Sequence, residues 1–249
     1  MTHIMNKTFY LFIVTLLLTN CTNKKAGLDY TFVLSEFTSP DCEPEKDACL
    51  MLSITYPQFD KGDSVAMQLA NRIVKNSILD NIGMGDAEAT EDPSIEMVIE
   101  DLNLKFEELK KEFNDYGTGW QADISSSELH RTDSILVLAI GSMTYFGGAH
   151  PNHNLRYYNF NRYSGRYLPI STFVTDLQEF TNKAEIVFKK KYNIDEGRSY
   201  DDAGFNFLGD RFAISANYAY LGDSIRLHYN HYEISSYAAG DFEITVALD

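Results

Sequence analysis

What this 249-residue chain has little of narrows its function more than what it has in quantity. Basic residues are scarce: 21 Lys and Arg stand against 36 Asp and Glu, a formal net charge of -15. Neutralising phosphates needs clustered Lys and Arg, so nucleic-acid binding is excluded as an expectation. There is no G-x-S-x-G elbow, no glycine-rich loop followed by lysine, and no histidine pair with a Glu at metalloprotease spacing, so hydrolase, nucleotide and zincin chemistry each lack their local signature. No internal repeat or low-complexity tract occurs. Only one long apolar run is present, at the N-terminus. Three cysteines are too few for a disulfide-built scaffold, and two thiolates without a nearby His or Cys partner make a poor zinc site.

The apolar run has the form of a targeting segment. Lys7 supplies a positive start, residues 9–18 an apolar stretch too short to span a bilayer, and Leu18-Thr-Asn-Cys21 stands where cleavage is expected. Residues 1–20 read as a lipoprotein signal peptide with acylation of Cys21, although Asn20 replaces the usual small residue. An ordinary secretory signal with an incidental cysteine is the alternative. Removing that segment deletes one lysine and no acid, taking the charge from -15 to -16. That acidity fits a cationic partner, and it serves solubility equally well. Cys42 and Cys49 remain on a polar loop and are expected to pair in an oxidising envelope.

Residues 21–28 read as a tether. Two strands at 30–37 and 49–56 flank the cysteine loop, with Pro57 ending the second. Residues 63–82 have helical spacing at Val65, Leu69, Ile73 and Ile78/Leu79, with Asp63 as N-cap and Gly83 and Gly85 as a stop. A second helix is expected to open at Asp92-Pro-Ser-Ile with Asp92 as N-cap, striped by Ile95, Val98, Ile99, Leu102, Phe106, Leu109 and Phe113. From residue 118 the period is two, and the run 135–140 is apolar on both faces, as a buried strand requires. Strands at 157–160 and 167–170 are expected to pair. Thr175-Asp-Leu-Gln178 has capping-box form before a third helix with Leu177, Phe180, Ala184, Val187 and Phe188. Strands at 212–220, 225–229 and 242–248 complete an α+β chain of antiparallel sheets with three main helices and two closely associated subdomains, 29–140 and 141–249.

Two stretches stand out within that frame. Tyr145-Phe-Gly-Gly-Ala-His-Pro-Asn152 joins two strands through a double-glycine turn, and Tyr229-Asn-His-Tyr-Glu-Ile-Ser-Ser-Tyr-Ala-Ala-Gly240 is a tyrosine-rich connection near the C-terminus. Together with Tyr158-Asn-Phe160, Gly165 and Leu168-Pro-Ile-Ser-Thr-Phe173, they resemble the conserved blocks of the RsiV-type C-terminal domain, and residues 28–140 look like the small α+β domain that commonly precedes it. The resemblance implies an envelope-facing module. In that family the anti-sigma factor ectodomain binds lysozyme, and the same module occurs beside polysaccharide deacetylases. Neither the anti-sigma role nor the deacetylase activity is expected here, because the segments that carry them are not recognised in this sequence.

The expected binding face comprises Tyr145, Gly147, Gly148, His150, Asn152, Tyr158, Tyr232 and Tyr237, since tyrosine buries area while keeping a polar tip. Packing of strands accounts for the same tyrosines. His150 and His153, and likewise His228 and His231, are spaced three apart; in a strand such a pair points to opposite faces, so no metal is expected. His150 is expected to fix the loop through hydrogen bonds. No catalytic residue and no cofactor is assigned, and a cryptic envelope hydrolase stays as an alternative because the separation of paired carboxylates is not readable from sequence. The partner expected is a cationic protein of lysozyme type, or alternatively a cell-wall glycan, with the membrane engaged through the N-terminal lipid.

Overall fold

The structure is a computed structural model that describes residues 26–40, 42–45, 47–83, 92–113 and 117–248. The expected signal peptide, the expected acylation site Cys21 and most of the expected tether lie outside the described residues. Among the described residues no helix is long and apolar enough to cross a membrane.

Strands β1 (Asp29–Thr38), β2 (Leu50–Lys61), β3 (Trp120–Arg131), β4 (Ile135–Tyr145) and β5 (Asn152–Asn161) form one sheet in that order. Three of its four strand pairings are antiparallel, and β2 with β3 is the parallel exception. A parallel pairing needs a long crossover, and helices α1 (Ser64–Ile82) and α2 (Ile95–Glu112) supply it. After helix α3 (Leu177–Lys191), β6 (Tyr218–Tyr220), β7 (Ser224–Tyr229) and β8 (Phe242–Ala247) form a second, antiparallel sheet.

The β1 and β2 pair carries the cysteine loop, and Cys42 and Cys49 form a disulfide with Cα atoms 5.9 Å apart. Pro57 does not end β2, which runs on to Lys61 opposite β1. Beyond Ile54 the strand has no partner on its β3 side, so a residue without an N–H is accommodated there. Asp63 caps α1 as expected, but the buried face is Ala66, Ala70, Val74, Ile78 and Ile82, and Val65 is 70% exposed. Small alanines at the first two turns let the helix lie close to the sheet, which rotates the larger Val65 outward. The cap of α2 is Ser94 rather than Asp92: its Oγ accepts from Met97 N–H, whereas Asp92 pairs with Lys75. Similarly Asp176, not Thr175, caps α3.

The apolar run in β4 is explained by what lies on each side. Leu136, Leu138 and Ile140 join the core under α1 and α2, while Val137 and Ala139 pack with Tyr157 of β5 and Ala219 of β6. The 140/141 boundary therefore falls inside β4, because β4 and β5 complete the first sheet and Phe160 sits in its core. A second core, built on Phe188 of α3 with Tyr200, Phe205, Phe207 and Tyr229, gathers from residue 174 onward. Residues 212–217 are irregular, and residues 167–170 contribute one isolated bridge, Tyr167 to Phe160, rather than a strand.

Asparagine carboxamides join the two sheets. Asn217 Oδ1 accepts from Tyr157 N–H (2.8 Å) and its Nδ2 donates to the Leu155 carbonyl (2.6 Å). Asn159 donates to the Tyr218 carbonyl and accepts from Tyr220 N–H, both at 2.8 Å. Asn230 adds a bond from Leu155 N–H at 2.7 Å. A carboxamide offers one donor and one acceptor in the spacing of a peptide group, so Asn217 and Asn230 satisfy an edge of β5, and Asn159 one of β6, that a further strand would otherwise occupy.

Candidate functional site

The double-glycine turn and the tyrosine-rich connection meet at one end of the seam between the sheets. β4 delivers Tyr145 and β5 leaves from Asn152, so the turn sits at the strand ends. Gly147 has φ 79°, a conformation that side chains rarely adopt, whereas a Cβ on Gly148 would meet nothing within 4 Å. Tyr145 Oη donates to the Gly148 carbonyl at 3.0 Å and closes the turn.

His150 locks the turn to the other segment. Its Nδ1 lies 3.0 Å from the Pro151 carbonyl and carries the proton, which leaves Nε2 to accept from Tyr232 Oη at 3.2 Å. Tyr237 lies flat on the His150 ring, centroids 3.6 Å apart and 18° from parallel, and donates to the Pro151 carbonyl at 2.7 Å. Tyr237 also neighbours Tyr232 (5.6 Å) and His231 (4.9 Å), and His231 neighbours His153 (5.8 Å). Five rings thus form a continuous outward-facing row. Tyr232 is held at φ 67° and is 61% exposed, an arrangement a bulky side chain adopts at a cost of roughly 1–2 kcal/mol.

Histidines three apart in sequence do not pair with each other; His150 meets Tyr232 and Tyr237, and His153 meets His231 across the seam. Asn152 is exposed at the start of β5. Tyr158 is the misplaced residue of the expected face: it stacks with Phe160 and packs against the core beneath α1 and α2, because alternation along β5 sends it to the opposite side from Tyr157. Tyr163 and Tyr167 lie beyond the other end of β5, roughly 30 Å away by strand rise.

In the sequence His228 stands out only by its spacing from His231, which says nothing of its burial or its acidic neighbours. It is buried, its Nε2 lies 3.3 Å from Asp241 Oδ2, and its Nδ1 lies 4.0 Å from Glu243 Oε2. Burial lowers its pKa from 6.5, opposed by Asp241, Glu243 and Glu233. Beside it, Ser215 donates its hydroxyl to the His228 carbonyl at 2.6 Å, so this serine is not aimed at the imidazole. Among the described residues no group of three or more His, Cys, Asp or Glu is arranged to hold a metal ion. A cavity of about 910 Å³ lies elsewhere, between β2, α1 and the start of α2, and mixes Val65, Leu69 and Ile95 with Arg72 and Arg166. In its wall Lys75 and Asp92 form an ion pair with each other.

The fold and this seam define an α+β two-sheet module of a kind already seen in solved proteins. The model described as "Protein of unknown function (DUF3298)" matches residues 173–249, and the model described as "Deacetylase PdaC" matches residues 43–153. A member of the DUF3298 family from Bacteroides fragilis is 21% identical, with 90% of this chain and 92% of that chain covered at a TM-score of 0.66. A DUF3298 family protein from Pseudomonas aeruginosa is 18% identical, with 88% and 90% covered at 0.64. No curated protein matches the chain.

Proposed function

We propose that this chain is a binding protein of the bacterial cell envelope, anchored through a lipid on Cys21, that docks a cationic protein on the face formed by the double-glycine turn and the tyrosine-rich connection. The observation that carries the reading is the row of five rings ending at Tyr232. Rings already fixed by packing and hydrogen bonds lose little conformational freedom on binding, which favours them as anchors. The strained backbone at Tyr232 presents one of them to solvent where Asn or Gly would be cheaper. A net charge of -15 steers positively charged partners and repels nucleic acid. The reading is of binding rather than catalysis because both nitrogens of His150 are engaged by a carbonyl and a hydroxyl, and the face offers it no carboxylate partner.

Lysozyme is the cationic protein to try first. The chain from residue 26, immobilised and challenged with lysozyme, is expected to retain it at low salt and to release it progressively as salt rises. No retention at low salt contradicts the reading.

The PdaC match favours a second reading, a glycan-binding accessory of wall metabolism. Sedimentation with peptidoglycan separates the two, since an acidic, ring-lined protein face predicts no pelleting with the wall polymer.

A further inference from the structure

The aromatic row leads into a cleft at the seam. This cleft, about 310 Å³, is lined by Asp123 of β3, His153 and Asn154 of β5, and Asn230, His231 and Asp241 of the second half, with no Lys or Arg in its wall. Its size is at the lower end of the roughly 300–1,000 Å³ usual for ligand pockets, enough for one side chain and not for a folded segment.

Its two carboxylates lack the kind of partner that Glu128 has in Arg131 and Glu185 has in Lys189. Asp123 is held by the Gln121 carboxamide at 2.7 Å, and neither it nor Asp241 forms an ion pair with Lys or Arg among the described residues. Behind Asp241 sits His228, whose side chain is 3% exposed and whose ring nitrogens make no well-formed hydrogen bond despite the 3.3 Å approach to the carboxylate. Because burial disfavours its protonation, His228 leaves the charge of Asp241 uncancelled at neutral pH.

We propose that this cleft receives the cationic end of a single arginine or lysine side chain presented by a protein partner, with Asp123 and Asp241 as counter-charges and the rings of His153 and His231 as its wall. The proposal rests on the reading of the adjoining face as a docking surface. Arginine fits better than lysine, since a planar guanidinium both stacks on rings and meets carboxylates in a fork. A metal ion fits worse, since no three ligating groups converge.

The test is a titration of the chain from residue 26 with Nα-acetylarginine amide, following the imidazole resonances of His153 and His231, with the uncharged citrulline analogue as control. Saturable shifts at millimolar arginine and none with citrulline are expected. Asp123→Asn and Asp241→Asn should each weaken the response at least fivefold, with circular dichroism confirming that the variants are folded. Equal shifts with citrulline, an unchanged response in the double variant, or a response to zinc and not to arginine overturns the proposal. Lysozyme retention separates the two claims. Wild-type protein that binds the arginine probe but retains no lysozyme keeps the cleft and removes the docking reading. A double variant that retains lysozyme as well as wild type removes the cleft and keeps the docking face.

Discussion

The ring of Tyr237 covers the ring of His150 at 3.6 Å, while its hydroxyl holds the carbonyl of the very next residue, Pro151. One side chain thus grips the glycine turn by both its face and its tip, from 86 positions away in the chain. Tyr237→Ala is expected to remove the ring-current shift from the His150 imidazole protons while leaving global stability within about 1 kcal/mol, since the contact is partly exposed. Unshifted His150 resonances in the variant would show that the stack does not form in solution.

Gly165 ends the turn after β5 at φ 67°, and a Cβ there would lie 2.1 Å from the Ala66 carbonyl oxygen in the first turn of α1. Backbone, unlike a flexible side chain, cannot step aside. Gly165→Ala is expected to destabilise the protein by about 2–5 kcal/mol, combining left-handed strain with the overlap. Thermal unfolding should fall by roughly 4–20 °C. A melting temperature unchanged within a degree contradicts this packing.

Much of the fold was legible because its signals are local. Periodicity gave the helices and the buried strand 135–140, and the two motif loops could be singled out from glycine and tyrosine content. What was not legible depends on distant partners. Val65 has the right spacing for a core residue, yet the alanines beside it set which face closes on the sheet. Pro57 reads as a strand end only if both edges of β2 are paired, and one is not. The expected 140/141 boundary lies within β4, because a strand covered on both faces looks alike whichever sheet it belongs to. In the candidate site, the polar pairings across the seam were invisible, since Asn217 meets Tyr157 from 60 positions away and no sequence period announces it.

Asn217 therefore offers a direct test of the seam. Asn217→Ala strands a buried Tyr157 N–H, while the Leu155 carbonyl keeps the Asn230 carboxamide as donor at 3.1 Å, so a loss of about 1–3 kcal/mol is expected in urea unfolding. Asn217→Asp keeps an acceptor and loses the donor, and should fall between the two. Both variants unfolding within 0.5 kcal/mol of wild type, roughly the noise of such measurements, would contradict the bridging role.

His228 makes stability depend on pH in a stated direction. Its folded pKa lies below the ordinary 6.5, chiefly through burial and against the pull of Asp241, Glu243 and Glu233. The unfolded chain then binds the proton more readily, so the His228 contribution is fully present above about pH 6.5 and is lost as pH falls from there through the folded value. His228→Gln should flatten that part of the profile. An identical slope in wild type and variant would assign the dependence to other groups.

Hydrogen exchange of the chain from residue 26 with and without lysozyme tests the docking face most directly. Protection is expected to concentrate in 145–153 and 230–238, with β1 and α3 unchanged. Protection spread evenly over the molecule, or confined to segments outside those two, would contradict the assignment of the aromatic row as the binding surface.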